Sequence, residues 1–124
     1  LTRIPAPVLG TRDIVVKVLA TPIVGCQKQV LDGARQYPTR LPLVPGPGGI
    51  GMIKSIGPGS VHSQVGQMVY IDPTIRAHDH PISPGSILQG LLAFDEAEKL
   101  QDVWLNGTWA EEILAPIENR ANKI

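Results

Sequence analysis

The run Leu43-Val44-Pro45-Gly46-Pro47-Gly48-Gly49-Ile50-Gly51 limits most sharply what this chain can fold into. Proline has a fixed φ and no amide hydrogen. Pro38, Pro42, Pro45 and Pro47 therefore block both helix and central-strand pairing, and Tyr37 to Pro47 reads as an extended loop. Glycines at these spacings mark places where a strand must kink or where another backbone approaches closely. Ile50 to Ile56 then reads as a strand stopped by Gly57-Pro58-Gly59. The corner Val65-Gly66 leads into another strand, Gln67 to Asp72, which Pro73 ends or bends. Thirteen glycines and twelve prolines in 124 residues favour many short strands over long helices. The length suits one domain with a modest core.

Elsewhere the pattern is uneven. Asp13-Ile14-Val15-Val16-Lys17-Val18-Leu19-Ala20 is apolar and β-branched on both faces, as in a well-buried strand. Val24 to Leu31 closes on Asp32-Gly33 and suits a short helical turn ended by glycine. His78 to Gly85, with Pro81 and Pro84, reads as a loop. Ile87, Leu88, Leu91, Leu92 and Ala97 or Leu100 recur at three to four residues and predict a helix over 86–100, with Ser86 as N-cap and Gly90 as its weak point. Thr108 to Leu114 is the last strand, shut off by Pro116. The expected class is mainly β: a partly open barrel with one substantial helix and short helical turns.

Eleven Lys+Arg balance eleven Asp+Glu, so no bulk field draws nucleic acid or anionic lipid, and neither is expected as a partner. A single cysteine, Cys26, excludes an intramolecular disulfide and a multi-cysteine metal site. No apolar run approaches the roughly 18 residues of a membrane span, and no basic start precedes an apolar core, so a cytoplasmic location is expected. Asn106-Gly107-Thr108 matches a glycosylation sequon by chance in that setting.

Several constellations invite a chemical reading. Gly46-x-Gly48-x-x-Gly51 matches a dinucleotide fingerprint, but that chemistry needs a preceding strand and a following helix whose N-terminus holds pyrophosphate. Pro45 before it and Gly57-Pro58-Gly59 after it point to glycines for barrel packing instead. His78-Asp79-His80 with His62 could hold zinc or nickel, though a polar surface loop is the more ordinary reading. Asp72 and Arg76 flank Pro73 at a strand end and could form an ion pair or line a substrate cleft, the pair being the more ordinary reading. Trp104 and Trp109 suit an aromatic cover for a barrel end, since 4% aromatics and zero net charge argue against base stacking. Glu111-Glu112 and Asp95-Glu96-x-Glu98 read as solvated faces.

Taken in order, these motifs resemble the GroES-like catalytic domain of medium-chain alcohol dehydrogenases and quinone reductases. Asp13-Ile14-Val15-Val16-Lys17-Val18 is similar to the family's opening strand, and Gly33 to the glycine that ends its first helical turn. Val44-Pro45-Gly46 resembles the approach to the family's G-H-E-x-x-G, and Val65-Gly66-Gln67-Met68-Val69 its v-G-D-x-V corner. Gly107-Thr108-Trp109-Ala110-Glu111 resembles its G-t-y-A-E strand, and Pro116-Ile117-Glu118-Asn119 the segment that leaves the domain. Asp72-Pro73-Thr74-Ile75-Arg76 together with Trp104 to Glu111 looks most like fungal alcohol-dehydrogenase-like members.

The resemblance also implies where the chain departs from its relatives. The family's zinc cysteine falls on Val24, the His and Glu of G-H-E on Pro47 and Gly48, the Ser/Thr relay position on Cys26 and the neighbouring Asp on Gln27. Catalytic zinc needs about three N, O or S ligands, so no zinc is expected. The Asn and Tyr that zinc-free reductases use would fall on Val24 and Gln29, which do not reproduce them. The candidate cleft is therefore Val24, Cys26, Gln27, Pro47 and Gly48. The implied activity is that of a zinc-independent oxidoreductase that moves hydride between NAD(P) and a small-molecule substrate. The cofactor would be bound by a Rossmann domain lying beyond this chain, and a homo-oligomer is an alternative partner. On that reading residues 1–124 are one GroES-like domain, a fragment or truncated form inactive by itself. The alternative is a repurposed, non-redox relative that uses the barrel cleft for small-molecule binding, a hydride-free reaction or assembly.

Overall fold

The computed structural model describes residues 2–33, 41–77, 85–93 and 98–121. Strand β1 (Asp13–Ala20) runs antiparallel between β2 (Gly49–Ile56) and β7 (Glu112–Pro116); β3 (Met68–Ile71) lies beyond β2, and the two-residue β8 (Arg120–Ala121) beyond β3. Alternation sorts the side chains of this five-stranded sheet. Ile14 and Val16 of β1 meet Ile53, Val69, Ile71, Ile113 and Ala115 in one core. Each of the larger side chains, fully buried, contributes on the order of 1.5–3 kcal/mol. Val15 is buried on the opposite face, so β1 is covered on both sides over its first half, as its unbroken apolar run predicts. The β1–β2 register slips twice, between Val15 and Val16 and between Val18 and Ala20. Such bulges bend a strand and increase its twist, which curls the sheet towards a barrel.

A second sheet is small: β4 (Thr74–Arg76), β5 (Ser86–Leu88) and β6 (Leu92–Ala93), antiparallel in that order. Ile75, Ile87 and Ala93 form its core, with Leu100 and Trp104 packed against them. Helix α1 (Gln27–Leu31) is seated through Val30, which meets Leu91 and Leu92. The architecture is the mainly β, partly open barrel that the sequence implies.

The helix expected over 86–100 is not there. Ser86 pairs with Arg76 and opens a strand, and Ile87 and Leu88 pair with Ala93 and Leu92 across a tight turn. Gly90 in that turn has φ +81, a left-handed conformation. Leucines three and four apart suit a helix face, but they serve equally in a hairpin whose two arms contribute to different cores. Residues 94–97 lie outside the described set, and only Glu98–Asp102 coils, as a 3-10 turn. The substantial helix is thus replaced by a hairpin, leaving α1 as the α-helix among the described residues. Two other readings shift at their edges. The strand expected over Thr108 to Leu114 is β7, which starts at Glu112 and takes in Pro116, because residues 108–111 are spent on a bend, and it is not the last, since β8 follows it. The expected loop over His78 to Gly85 falls almost wholly outside the described residues.

Candidate functional site

The proline–glycine run is held against two other backbones. Gly46 donates its amide to the carbonyl of Gly90 at 3.1 Å, and its own carbonyl accepts from the Thr108 amide at 2.9 Å. Gly107 N donates to Val44 O at 2.7 Å, Trp109 N to Pro45 O at 2.9 Å, and Gly90 N to Leu105 O at 3.2 Å. Glycine is needed on all three strands of this junction. A Cβ on Gly107 would stand 2.3 Å from the Gly46 carbonyl oxygen and 2.8 Å from the Gly90 Cα, and one on Gly90 would stand 2.6 Å from the Gly107 Cα. These contacts are with backbone, which cannot swing away.

Thr108 locks the junction. Its buried hydroxyl lies 2.7 Å from Gly48 O and 3.0 Å from Gly46 O, and 2.6 Å from the Thr21 hydroxyl. One hydroxyl has one proton to donate. The consistent assignment is Thr21 donating to Thr108, and Thr108 donating to a glycine carbonyl. The Asn106 side-chain oxygen accepts from the Val44 amide at 2.9 Å, so the asparagine of the sequon serves the same loop.

Val24, Cys26 and Gln27 share one turn at the start of α1. Gln27 N donates to Val24 O at 3.1 Å, Val30 N to Cys26 O at 3.1 Å, and Gln27 Oε1 accepts from the Val24 amide at 3.3 Å. That last bond fixes which end of the amide faces inward. Gln27 is 3% exposed, and its Nε2 is buried with no hydrogen-bond partner among the described residues. An orphaned buried donor costs about 1–3 kcal/mol. Cys26 is a free, half-buried thiol. Pro47 and Gly48 are buried on the loop that leads into β2, and Gly48 has φ +78. A Cβ there would stand 3.1 Å from Ile71 O and 3.4 Å from the Tyr70 hydroxyl. Tyr70, which the sequence reading passed over as a strand residue, therefore belongs beside this loop; the signal was its place in the strand that follows the glycine corner.

The two candidate segments are joined through one rail. Thr21 bonds Thr108, and Trp109 Nε1 donates to Pro22 O at 3.4 Å, while Gly46 and Gly48 bond Thr108 from the other side. The structure brings Val24, Cys26 and Gln27 together and places Pro47 with Gly48. No hydrogen bond links the two groups directly among the described residues.

The remaining candidates separate. Gly46-x-Gly48-x-x-Gly51 runs into β2 and not into a helix, so it cannot form the phosphate cradle its spacing mimics. His62 is exposed, residues 78–80 lie outside the described set, and no group of three His, Cys, Asp or Glu comes together among the described residues. The Asp72 carboxylate accepts from the Thr74 amide at 2.9 Å and does not pair with Arg76. Arg76 lines a recess of about 470 Å³ with Arg12, Asp13, Trp104 and Glu118. There burial raises the Asp13 carboxyl above its usual 3.8, the Gly10 amide opposes that, and Glu118 adds to it. Trp104 packs in the second sheet and Trp109 is exposed beside Pro22, so the two do not cover one barrel end. Glu112 accepts from Lys54 Nζ at 2.6 Å, while Glu111 is exposed.

The model of the alcohol dehydrogenase GroES-like domain matches residues 10–123. No curated protein matches the chain. Among solved structures, an NAD-dependent alcohol dehydrogenase aligns with a TM-score of 0.78 at 22% identity, over 98% of this chain and 34% of that one. Cinnamyl alcohol dehydrogenase from Sorghum bicolor aligns at 0.77 and 16% identity, over 96% of this chain and 35% of its own. Alcohol dehydrogenase TADH from Thermus sp. ATN1 aligns at 0.74 and 21% identity, over 95% and 34%. The chain spans about a third of the length of each, and at these identities the likeness is one of fold. No described helix is long and apolar enough to cross a membrane. With the family model matched along almost its whole length, the chain belongs to the alcohol dehydrogenase GroES-like domain family.

Proposed function

We propose that this chain is the substrate-binding, catalytic-type half of a zinc-independent, NAD(P)-dependent medium-chain oxidoreductase. The observation that carries the reading is the match to the alcohol dehydrogenase domain combined with the side chains at the family's metal positions. Val24, Pro47 and Gly48 have no side-chain donor for a metal. Nor does the backbone at Gly48 suit a ligand: φ is +78, and a Cβ there would meet the Ile71 carbonyl at 3.1 Å. The residues do not fit a catalytic zinc, and no step here runs through one.

NAD(P) would supply or accept the hydride, held by a separate dinucleotide-binding domain. The barrel's part is to shape the pocket and orient the acceptor. Gln27 Nε2 is the donor we assign to the substrate's oxygen, since its Oε1 is already engaged by Val24. A neutral amide favours a neutral carbonyl or enone oxygen over a carboxylate. Val24, Cys26, Pro47 and Gly48 would form the walls on this reading, joined by Tyr70, whose hydroxyl lies 3.4 Å from where a Cβ on Gly48 would stand. The fixed junction at Thr108 holds the two walls at one spacing, which preorganisation requires.

The test is reduction of an α,β-unsaturated ketone or an aldehyde by the full-length protein with NADPH or NADH, in the presence of EDTA. Turnover that survives the chelator, and falls in kcat/KM on Gln27→Ala, is the expected result. Activity lost with EDTA would overturn the zinc-free reading, and failure to bind either nicotinamide would overturn the redox one.

A further inference from the structure

The recess of about 470 Å³ beside Arg76 is lined from both sheets. Arg12 and Asp13 lie at the start of β1. Pro116 pairs with Asp13 across β7–β1, and Ile117 N donates to Arg12 O at 3.1 Å, which brings Glu118 to the same edge. From the other side β4 supplies Ile75 and Arg76, and the 3-10 turn supplies Leu100, whose carbonyl accepts from the Trp104 amide at 3.0 Å. The candidate cleft begins beyond Ala20, at the far end of β1, so the strand rise puts roughly 20 Å between the two places. Ile75 and Pro116 are buried, Leu100 and Trp104 are half-buried, and Arg12, Arg76 and Glu118 are exposed around them. An apolar body under a few polar groups, within about 300–1,000 Å³, is the usual make-up of a small-molecule pocket.

We propose that this recess binds a free apolar α-amino acid, its side chain against Trp104 and Leu100, its carboxylate on Arg12 and Arg76, and its ammonium at Asp13 and Glu118. The mixture of charge selects the class. Two guanidinium groups and two carboxyl groups line one small space, so a dianion or a polyamine would meet repulsion as well as attraction. A zwitterion answers both signs. Neither arginine makes an ion pair among the described residues, so both planar forks are open to a carboxylate. On the acidic side, burial raises the Asp13 carboxyl above its usual 3.8 against the pull of the Gly10 amide, and Glu118 adds to the rise. An ammonium seated between the two carboxyl groups relieves that repulsion, while the Gly10 amide holds Asp13 Oδ2 at 3.0 Å. The indole of Trp104 offers a broad apolar surface for an aliphatic or aromatic side chain. The inference stands apart from the hydride chemistry proposed above, since it uses none of the same residues.

Equilibrium dialysis of the full-length protein against radiolabelled L-phenylalanine and L-leucine tests it. At least one of the two should bind saturably with a Kd below about 1 mM. The deaminated and the decarboxylated analogue of that amino acid should each compete about tenfold more weakly, because each lacks one of the two charges. Arg76→Gln and Glu118→Gln should each raise the Kd by about fivefold or more. Trp104→Ala should abolish binding, and the two exposed positions keep the test decisive even if that variant misfolds. Gln27→Ala, at the other end of β1, should leave the Kd unchanged. No saturable binding of either amino acid up to about 10 mM overturns the proposal. So does a site that accepts either analogue as well as the amino acid, or one indifferent to Arg76→Gln or to Glu118→Gln. Binding lost on Gln27→Ala but kept in those two variants would overturn it by placing the amino acid in the candidate cleft.

Discussion

At Gly107 a hydrogen atom is the only side chain that fits. The Gly46 carbonyl oxygen would lie 2.3 Å from a Cβ there, and the clash is with a peptide group already bonded to Thr108. Relief would require the whole proline–glycine loop to move. Gly107→Ala should therefore destabilise by at least about 2 kcal/mol, the upper part of the range for overpacking, read as a lower urea midpoint with unchanged slope. Asp13 is a residue whose charge state bears on stability. Burial first, and the neighbouring Glu118 after it, raise its folded pKa above 3.8, so folding takes up proton at this site. The stability that follows is full below 3.8 and is lost as pH rises through the raised value. Asp13→Asn keeps an oxygen for the Gly10 amide but removes the titration. Its unfolding free energy should not show the decline with rising pH, just above 3.8, that Asp13 imposes on the parent. Denaturation curves across that window, taken for both chains, check it. Residues like these differ in how far the sequence betrays them. The glycines at 46, 48 and 51 announce close packing by their spacing with prolines. Their partners Gly90 and Gly107 do not, because only the fold brings positions so far apart in the chain into contact.

At the scale of elements, the segment after Ser86 teaches why periodicity misled. Ile87, Leu88, Leu91 and Leu92 satisfy a helical spacing, and nothing local distinguishes that from two short arms around a left-handed glycine. What decides is Gly90, whose amide and carbonyl both bond outside the segment, to Leu105 and Gly46. That β1 is a buried strand was legible because Asp13 to Ala20 is apolar and β-branched on both faces, though its register was not. The hairpin was not, because its stabilising contacts are with residues 105–108. Gln89 makes the tie visible. It is buried, and its Nε2 donates to Asn106 O at 3.0 Å and to Leu114 O at 2.7 Å, clipping the β5–β6 turn to the outer edge of β7. An edge strand with a capped carbonyl is also a poorer template for stray pairing. Gln89→Ala leaves two carbonyls unmet but also removes an Oε1 with no partner among the described residues, so the net loss should be about 1–2 kcal/mol. Amide exchange around Gly90 and β7 should accelerate together while β2 and β3 keep their protection. Equal acceleration everywhere would mean that Gln89 acts on global stability and not as a clip.

Over the whole molecule, the class of fold was readable because short motifs from Asp13 to Asn119 follow one another in the family's order. The candidate cleft was readable only as positions. Val24 and Gln27 could be placed on one turn from Gly33, but the orphaned Gln27 amide depends on which way the side chain turns, and no sequence pattern fixes that. The metal question is where the molecule as a whole gives a decisive measurement. A zinc held by the folded barrel and not by the unfolded chain would stabilise by RT ln(1 + [Zn]/Kd), about 4 kcal/mol at a thousandfold excess over Kd. For a chain of 124 residues that is a shift in Tm of more than about 10 °C. On the proposed reading Val24, Pro47 and Gly48 occupy the metal positions, and no such linkage should exist. Calorimetric melting in EDTA and in excess zinc should give midpoints within about 1 °C of each other, since a smaller difference than that leaves under about 0.5 kcal/mol for any bound metal. Metal analysis of the purified protein should find well under one zinc per chain. A midpoint that falls by several degrees on chelation would place a metal in the folded barrel. The hydride acceptor would then be polarised by that ion, and Gln27 would have to find another role.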